Sequence, residues 1–538
     1  MTASTRLSFA PAGRGWRAIA LAVTIAGALA VVATHFSFSN TLDEPAHIGA
    51  GMEWLAGTHA YDAQSPPLPR IAAALGPYSR GERAVAASSA SDEGSRILGR
   101  AAHYESTLAF ARLGELPFFL VLCGVVWAWG RRLTDERGAA IAVILVATNP
   151  NMLAYAGLAT SDIALAATVT AALFAFVRWL DAPRWTAAVP LGMAMALTMA
   201  TDYAALPMLA LASAATYGVR RRTHGGPLWA NEMPSQRRLA LGVTFATAGV
   251  VAWAMYGFRF GRVGELPVFV PAPDWFWGFA SFVIERARNH PSYLFGTLSL
   301  SGWWYYYPVA LLVKTPLPLF LLAMLGGAAA GGDLVRRGGR ERAVLLVGVL
   351  GVVLAAAIIG DDSGVRLVLP AFGLMALLGA VAAVELWDHA VSSPPAQRLV
   401  RATVAAIMGA ALLVPMRTHP DYLAYFNALA GERPELILVD SNLDWGQDLY
   451  RLGAVMKRMH IDSMAVAYYG SASLDAAGVR NARPLAAAER PRGWIAASQT
   501  MLAGVGGDGA YEWLNDLQPV GRVGSSLVLY YIPPPKRR

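Results

Sequence analysis

Charge is what this sequence has least of. Only 15% of its 538 residues are Asp, Glu, Lys or Arg, against roughly 25% in ordinary soluble domains. With 55% hydrophobic residues and a mean hydropathy of +0.42, the apolar excess cannot be one dense interior, because single cores stop growing beyond about 250–300 residues. It has to face lipid, and the composition is that of a polytopic membrane protein. Cysteine is nearly absent. The single Cys123 lies inside an apolar run, which excludes an internal disulfide framework and a cysteine metal site. No Walker loop, dinucleotide glycine fingerprint or Gly-x-Ser-x-Gly elbow stands in a fitting context, so no nucleotide cofactor is expected. The net charge of +8 does not point to nucleic acid, because the basic residues sit in short clusters between apolar runs, as the positive-inside rule requires.

A span needs about 20 mostly apolar residues. About eleven runs qualify, near 16–36, 113–130, 139–157, 162–180, 185–200, 203–219, 238–258, 303–330, 342–360, 366–387 and 400–416. The stretch 185–219 is divided at Thr201-Asp202-Tyr203, because an aspartate at mid-membrane is costly. Alternate connections carry arginines, among them Arg131 and Arg132, Arg220 to Arg222, and Arg398 and Arg401. Placing these inside puts the N-terminus in the cytoplasm and residues 417–538 outside. The first run reads as a retained span of an inner (plasma) membrane protein, not as a cleaved signal.

The expected organisation is therefore an all-α membrane domain over 1–416, with long external loops at 37–112 and 259–302, and an external (periplasmic) α/β domain over 417–538. Loops of that length are usually functional. In the tail, 436–441 and 464–470 read as strands around a helix over 447–459, one βαβ unit. Further strands are expected at 494–500 and 525–532, with a short helix over 511–517.

Asp43 and Glu44 follow the first span at the outer surface. They suit a base for an attacking hydroxyl, or they are solvated loop carboxylates. Asp162 opens the fourth span as a helix cap, as a ligand group, or as both. Lys314, inside the eighth span after Trp303-Trp304-Tyr305-Tyr306-Tyr307, either snorkels or meets an anion within the bundle. Arg366 could join it on a phosphate, with Arg112 and Arg70 as weaker candidates. His47, His59, His103 and His290 are external, but no two show the i, i+4 spacing of a metal pair. A divalent cation (Mg or Mn) on Asp43, Asp162 and phosphate oxygens is the more reasonable metal site. The run Asp440-Ser441-Asn442-Leu443-Asp444-Trp445-Gly446-Gln447-Asp448 suits a sugar or headgroup at a strand's carboxyl end, or a capping turn.

Together these strings resemble the GT-C superfamily, specifically the bacterial phospholipid-carrier-dependent glycosyltransferases related to protein O-mannosyltransferases and the lipid A aminoarabinose transferase. The strings are TLDEPAHIGAG at 41–51, SPPL at 65–68, LATSDIALA at 158–166, HPSYLFG at 290–296, GWWYYYPVALLVKTPLP at 302–318, GVRLVLP at 364–370 and YLAYFNALAGERPELILVDSNLDWGQDLYRL at 422–452. The resemblance implies inverting transfer of a sugar, of hexosyltransferase type, from a polyprenyl-phosphate donor to a protein, lipid or glycan acceptor at the outer face. It implies Asp43 as catalytic aspartate, Glu44 as its partner and Asp162 as the second acid. Lys314, Arg366 and Arg112 are assigned to the donor phosphate, and His47, His290, Tyr293, Asp444, Trp445 and Gln447 to substrate. Two positions depart from the pattern. Gln64-Ser65-Pro66-Pro67 stands where relatives carry His-Pro-Pro or Glu-Lys-Pro-Pro, and Thr201-Asp202 where they carry Thr-Lys. A lipid-linked-sugar transporter and a silent envelope scaffold are the alternatives. Against the transporter, the sequence has no detectable inverted repeat or pair of broken helices.

Overall fold

The computed structural model describes residues 13–58, 65–100, 103–223, 234–264, 266–286, 288, 291–336, 340–389, 393–507 and 509–534. Each of the expected apolar runs is helical. Among the described residues eight helices are long and apolar enough to cross a membrane, or up to nine if one bent pair is a single span. The bent pair is Glu136–Ala147 and Pro150–Ala156, which meet at 64° where Pro150 interrupts the helical hydrogen bonds. The runs at 185–200 and 203–219 form the helices Trp185–Met199 and Ala205–Thr223. The eighth run is broken: Tyr306–Lys314 ends at Thr315-Pro316, and Leu317–Arg336 begins anew. The stretch Val365–Asp388 is almost wholly buried and forms the centre of the bundle, whereas Pro394–Thr418 is mostly unburied and lies on its periphery.

The helix Asp162–Asp181 sets the axis of the molecule. Its 20 residues span about 30 Å at 1.5 Å per residue. At its Asp181 end gather Arg132 and Arg220, both ion-paired to Asp181, and Glu341, paired to Arg220. Its Asp162 end lies beneath the two long loops.

The first loop folds into the helices Glu44–Ala56, Pro67–Ser79, Ala90–Arg100 and Tyr104–Leu113. They pack so closely that a Cβ at Gly51 would come within 1.9 Å of the Arg70 carbonyl, and one at Gly94 within 1.8 Å of the Pro45 carbonyl. Only glycine allows that approach. The second loop contains the helix Pro273–Arg286 between two short antiparallel hairpins.

The C-terminal region contains a five-stranded sheet in the order Ala482–Pro484, Met464–Ala467, Gly493–Ser498, Leu527–Ile532, Gly521–Val523. The first three strands are parallel and the last two antiparallel to their neighbours. The helix Leu449–Met459 and the strands at 464, 493 and 527 match expectation, and 512–516 is a 3₁₀ turn. The strand expected at 436–441 does not form. Pro434 starts a 3₁₀ turn, Asp440 takes a left-handed conformation (φ 56°) that starts a second, and Leu438 and Val439 are buried between them. The expected βαβ unit is therefore absent.

Candidate active site

Pro45 in the first turn starts the helix Glu44–Ala56 and leaves Asp43 at its N-cap, where its carboxylate makes no capping bond. Instead Asp43 Oδ2 accepts from Arg366 Nη1 at 2.7 Å. Arg366 projects from the 3₁₀ turn Val365–Val368 at the head of the central helix, and Ser363 Oγ lies 3.2 Å from its Nη2. The guanidinium lies 4.8 Å over the ring of Trp445. Asp162 is the first helical residue of its helix, the N-cap being Ser161, and accepts from Thr160 Oγ1 at 2.6 Å.

Asp43, His47, Asp162 and Arg366 line one cavity of about 600 Å³. Sequence reasoning did not anticipate Asp361, Arg286 and Glu285 on its wall, although the Asp361-Asp362 pair between two apolar runs was the available signal. Asp202, one of the two departures from the family pattern, is there too, accepting from Ser161 Oγ at 3.2 Å. Both arginines of the wall hold a carboxylate, Arg366 that of Asp43 and Arg286 that of Asp361 at 2.5 Å. Burial pushes the Asp202 carboxyl above its ordinary range. Burial also pushes the His47 imidazole down to about 4 against the pull of Asp43, so it is neutral at pH 7.

Several expected site residues lie elsewhere. Glu44 is fully buried and saturated. It takes Arg112 Nε at 2.8 Å and Nη2 at 2.9 Å, Thr41 N at 2.7 Å and Ala159 N at 2.9 Å. Burial raises its carboxyl, but Arg112 and these amides outweigh burial and hold it below the ordinary range. Glu44 therefore has no free lone pair for chemistry. Arg112 is equally occupied, donating also to the carbonyls of His35, Phe38 and Ser39, so it is an anchor for the Asp43 loop and not a phosphate ligand. Lys314 is 1% exposed and absent from the cavity wall. Its Nζ donates to the carbonyls of Leu423 (2.8 Å) and Asn442 (2.6 Å) and sits 4.5 Å from the Phe426 ring centre. It ties the C-terminal region to the membrane helices.

Tyr293 is buried on its hairpin and donates to the Glu435 carbonyl at 3.1 Å. His290 and His59 lie outside the described residues. Asp444, Trp445 and Gln447 are buried and make no part of the cavity wall. Asp444 accepts from Thr500 N at 3.0 Å, and Gln447 Nε2 donates to the Leu443 carbonyl at 2.9 Å. Their loop works as a clamp. Leu42 N bonds the Trp445 carbonyl and Ser39 N the Gln447 carbonyl, fixing the segment that carries Asp43. Val365 N bonds Asn442 Oδ1 and Ser441 Oγ bonds the Ser363 carbonyl, fixing the turn that carries Arg366. One loop thus sets the register of both members of the ion pair.

No three His, Cys, Asp or Glu side chains converge for a metal among the described residues. Asp43 Oδ2 is engaged by Arg366 and Asp162 Oδ2 by Thr160.

Residues 105–256 match the family model of dolichyl-phosphate-mannose-protein mannosyltransferases. No curated protein matches the chain by sequence. Among solved structures, ArnT from Cupriavidus metallidurans bound to undecaprenyl phosphate superposes with a TM-score of 0.53 at 12% identity, covering 96% of this chain and 98% of that one. The chain shares its fold with this ArnT. The apo form of the same ArnT gives a TM-score of 0.51 at 13% identity over the same shares. The archaeal oligosaccharyltransferase AglB from Archaeoglobus fulgidus, in complex with an inhibitory peptide and a dolichol-phosphate, gives 0.50 at 12% identity, covering 93% of this chain and 72% of that one.

Proposed function

We propose that this protein transfers a sugar from a polyprenyl-phosphate-linked donor to an acceptor hydroxyl at the outer membrane face, by inversion. The observation that carries the reading is the cavity in which Asp43, held by Arg366, shares a wall with Asp162. Its place supports the outer face, since it lies at the Asp162 end of a helix whose other end gathers arginines, and arginine-rich ends stay inside.

In this reading the acceptor hydroxyl attacks the anomeric carbon opposite the phosphate. The new carbon–oxygen bond forms as the carbon–phosphate-oxygen bond breaks, and the electron pair of the broken bond leaves with polyprenyl phosphate. Asp43 takes the hydroxyl proton. Arg366 holds the Asp43 carboxylate in place before substrate binds and then turns to the phosphate, where negative charge develops in the transition state. Asp162 and neutral His47 accept or donate hydrogen bonds to sugar hydroxyls. The donor phosphate is neutralised by arginine, and no step requires a cation bound by the protein.

Support also comes from the ArnT and AglB folds, whose structures hold polyprenyl-type phosphates. Purified protein supplied with labelled polyprenyl-phosphate sugars and a membrane extract tests the proposal: label moves to a new product with the wild type and not with D43N. Labelled donor that crosses a vesicle membrane unchanged, with no product, would favour a transporter instead.

A further inference from the structure

Arg70 is the buried cation that neither the fold nor the proposed chemistry employs. It lies in the first turn of the helix Pro67–Ser79 and is 7% exposed. Three arginines are buried among the described residues, Arg70, Arg112 and Arg220. Arg112 is paired with Glu44, and Arg220 with Asp181 and Glu341. Arg70 makes no hydrogen bond or ion pair to any described residue, and its Nε is enclosed without a partner. The groups that face it electrostatically are the phenols of Tyr203 and Tyr256 and the carboxylate of Asp274. Asp274 is already held by Arg259 at 2.6 Å.

The backbone that carries Arg70 is fixed at both ends of the turn. Leu68 N bonds the Ala200 carbonyl at 2.9 Å, and Gly51 packs against the Arg70 carbonyl. A guanidinium kept in such a place without a counter-ion is strongly unfavourable. It is retained at least cost where a ligand brings the anion. The surroundings say where that ligand comes from: Ser65, just before this helix, lines the cavity, and Tyr203, which faces Arg70, stands between Asp202 and Ala204 of the cavity wall.

We infer that Arg70 is an oxyanion-binding residue, taking a phosphate of the lipid substrate. The inference rests on the proposed function for the identity of the lipid. A guanidinium suits this task because its planar fork meets two phosphate oxygens at once, and the nearby phenols can donate to the same group.

The test uses the full-length protein in detergent, as wild type, R70Q and R70M, with undecaprenyl phosphate, undecaprenol and inorganic phosphate as probes. Without ligand, both variants melt at or above the wild-type temperature, because an uncompensated buried charge has been removed. Undecaprenyl phosphate raises the melting temperature of the wild type and undecaprenol does not. The variants bind undecaprenyl phosphate roughly 10- to 100-fold more weakly, the range of a charge-assisted hydrogen bond. Competition by inorganic phosphate in the wild type alone would assign the site to free phosphate as well as to lipid. A response to the lipid alone would restrict it to the lipid headgroup; either supports Arg70.

Equal affinity in wild type and variants overturns the inference while leaving the donor assignment intact. Variants that fail to fold, or that melt well below wild type with unchanged affinity, overturn it too, since Arg70 would then be a structural cation. A wild type that binds no polyprenyl phosphate removes the proposed function and this inference together.

Discussion

Asp43 and Glu44 are adjacent in sequence and opposite in circumstance, and substituting each separates chemistry from architecture. Glu44 is fully buried and accepts two bonds from Arg112 and two from the amides of Thr41 and Ala159. Glu44→Ala leaves the Arg112 guanidinium, 1% exposed, with backbone carbonyls but no counter-charge. Removing one partner of a buried pair costs about 3–5 kcal/mol. The two orphaned amides belong to the same network and do not add in full, so we place the loss within that range. Asp43 has a side chain 34% exposed, paired with an Arg366 side chain 21% exposed. For so accessible a pair Asp43→Asn costs at most about 1 kcal/mol. Thermal unfolding of the purified proteins, followed by tryptophan fluorescence, should therefore show E44A far below wild type and D43N close to it. The activity order should differ: D43N folds and is inactive, by roughly 10²–10⁴-fold for loss of a general base. An E44A protein that melts with the wild type would refute the reasoning, as would a D43N protein that falls as far as E44A.

Lys314→Met strips two buried carbonyls of their donor, so limited proteolysis should cut residues 417–423 faster than in wild type. Unchanged cleavage would deny the tie between the C-terminal region and the bundle. Trp445→Leu removes the ring beneath Arg366 and should raise KM for the donor by roughly fivefold, for about 1 kcal/mol of cation–π contact; an unchanged KM would count against that support. His47 has a folded-state value of about 4 against an ordinary 6.5, so the unfolded chain binds the proton more readily. Stability should fall as pH drops from 6.5 toward 4, and H47N should flatten that slope; equal slopes would contradict it. Chelation by EDTA should leave the transfer rate unchanged, since no donor set for a protein-held cation converges among the described residues. A rate lost to EDTA and restored by Mg²⁺ or Mn²⁺ would contradict it.

The membrane spans were legible because lipid-facing helices need only length and apolarity, both local properties. Asp43, Asp162 and Arg366 were legible as a group because topology alone puts the heads of three spans on one face. What was hidden depends on partners distant in sequence. Nothing near Glu44 announces that Arg112 will saturate it from 68 positions away, and nothing near Lys314 announces the carbonyls of Leu423 and Asn442. Asp444, Trp445 and Gln447 look like a polar ligand loop from their residue types. Only the contacts to Ser39, Leu42 and Val365 show that the loop clamps the site from behind. The strand expected at 436–441 failed because β-branched residues there follow Pro434 and packing against the bundle outweighs their strand propensity.

The most direct test of the central claim is transfer of labelled sugar from polyprenyl phosphate by wild type and D43N, each shown to be folded. The account predicts a new labelled product and released polyprenyl phosphate with wild type, and neither with D43N. Transfer by D43N at the wild-type rate would contradict it and remove Asp43 from the chemistry.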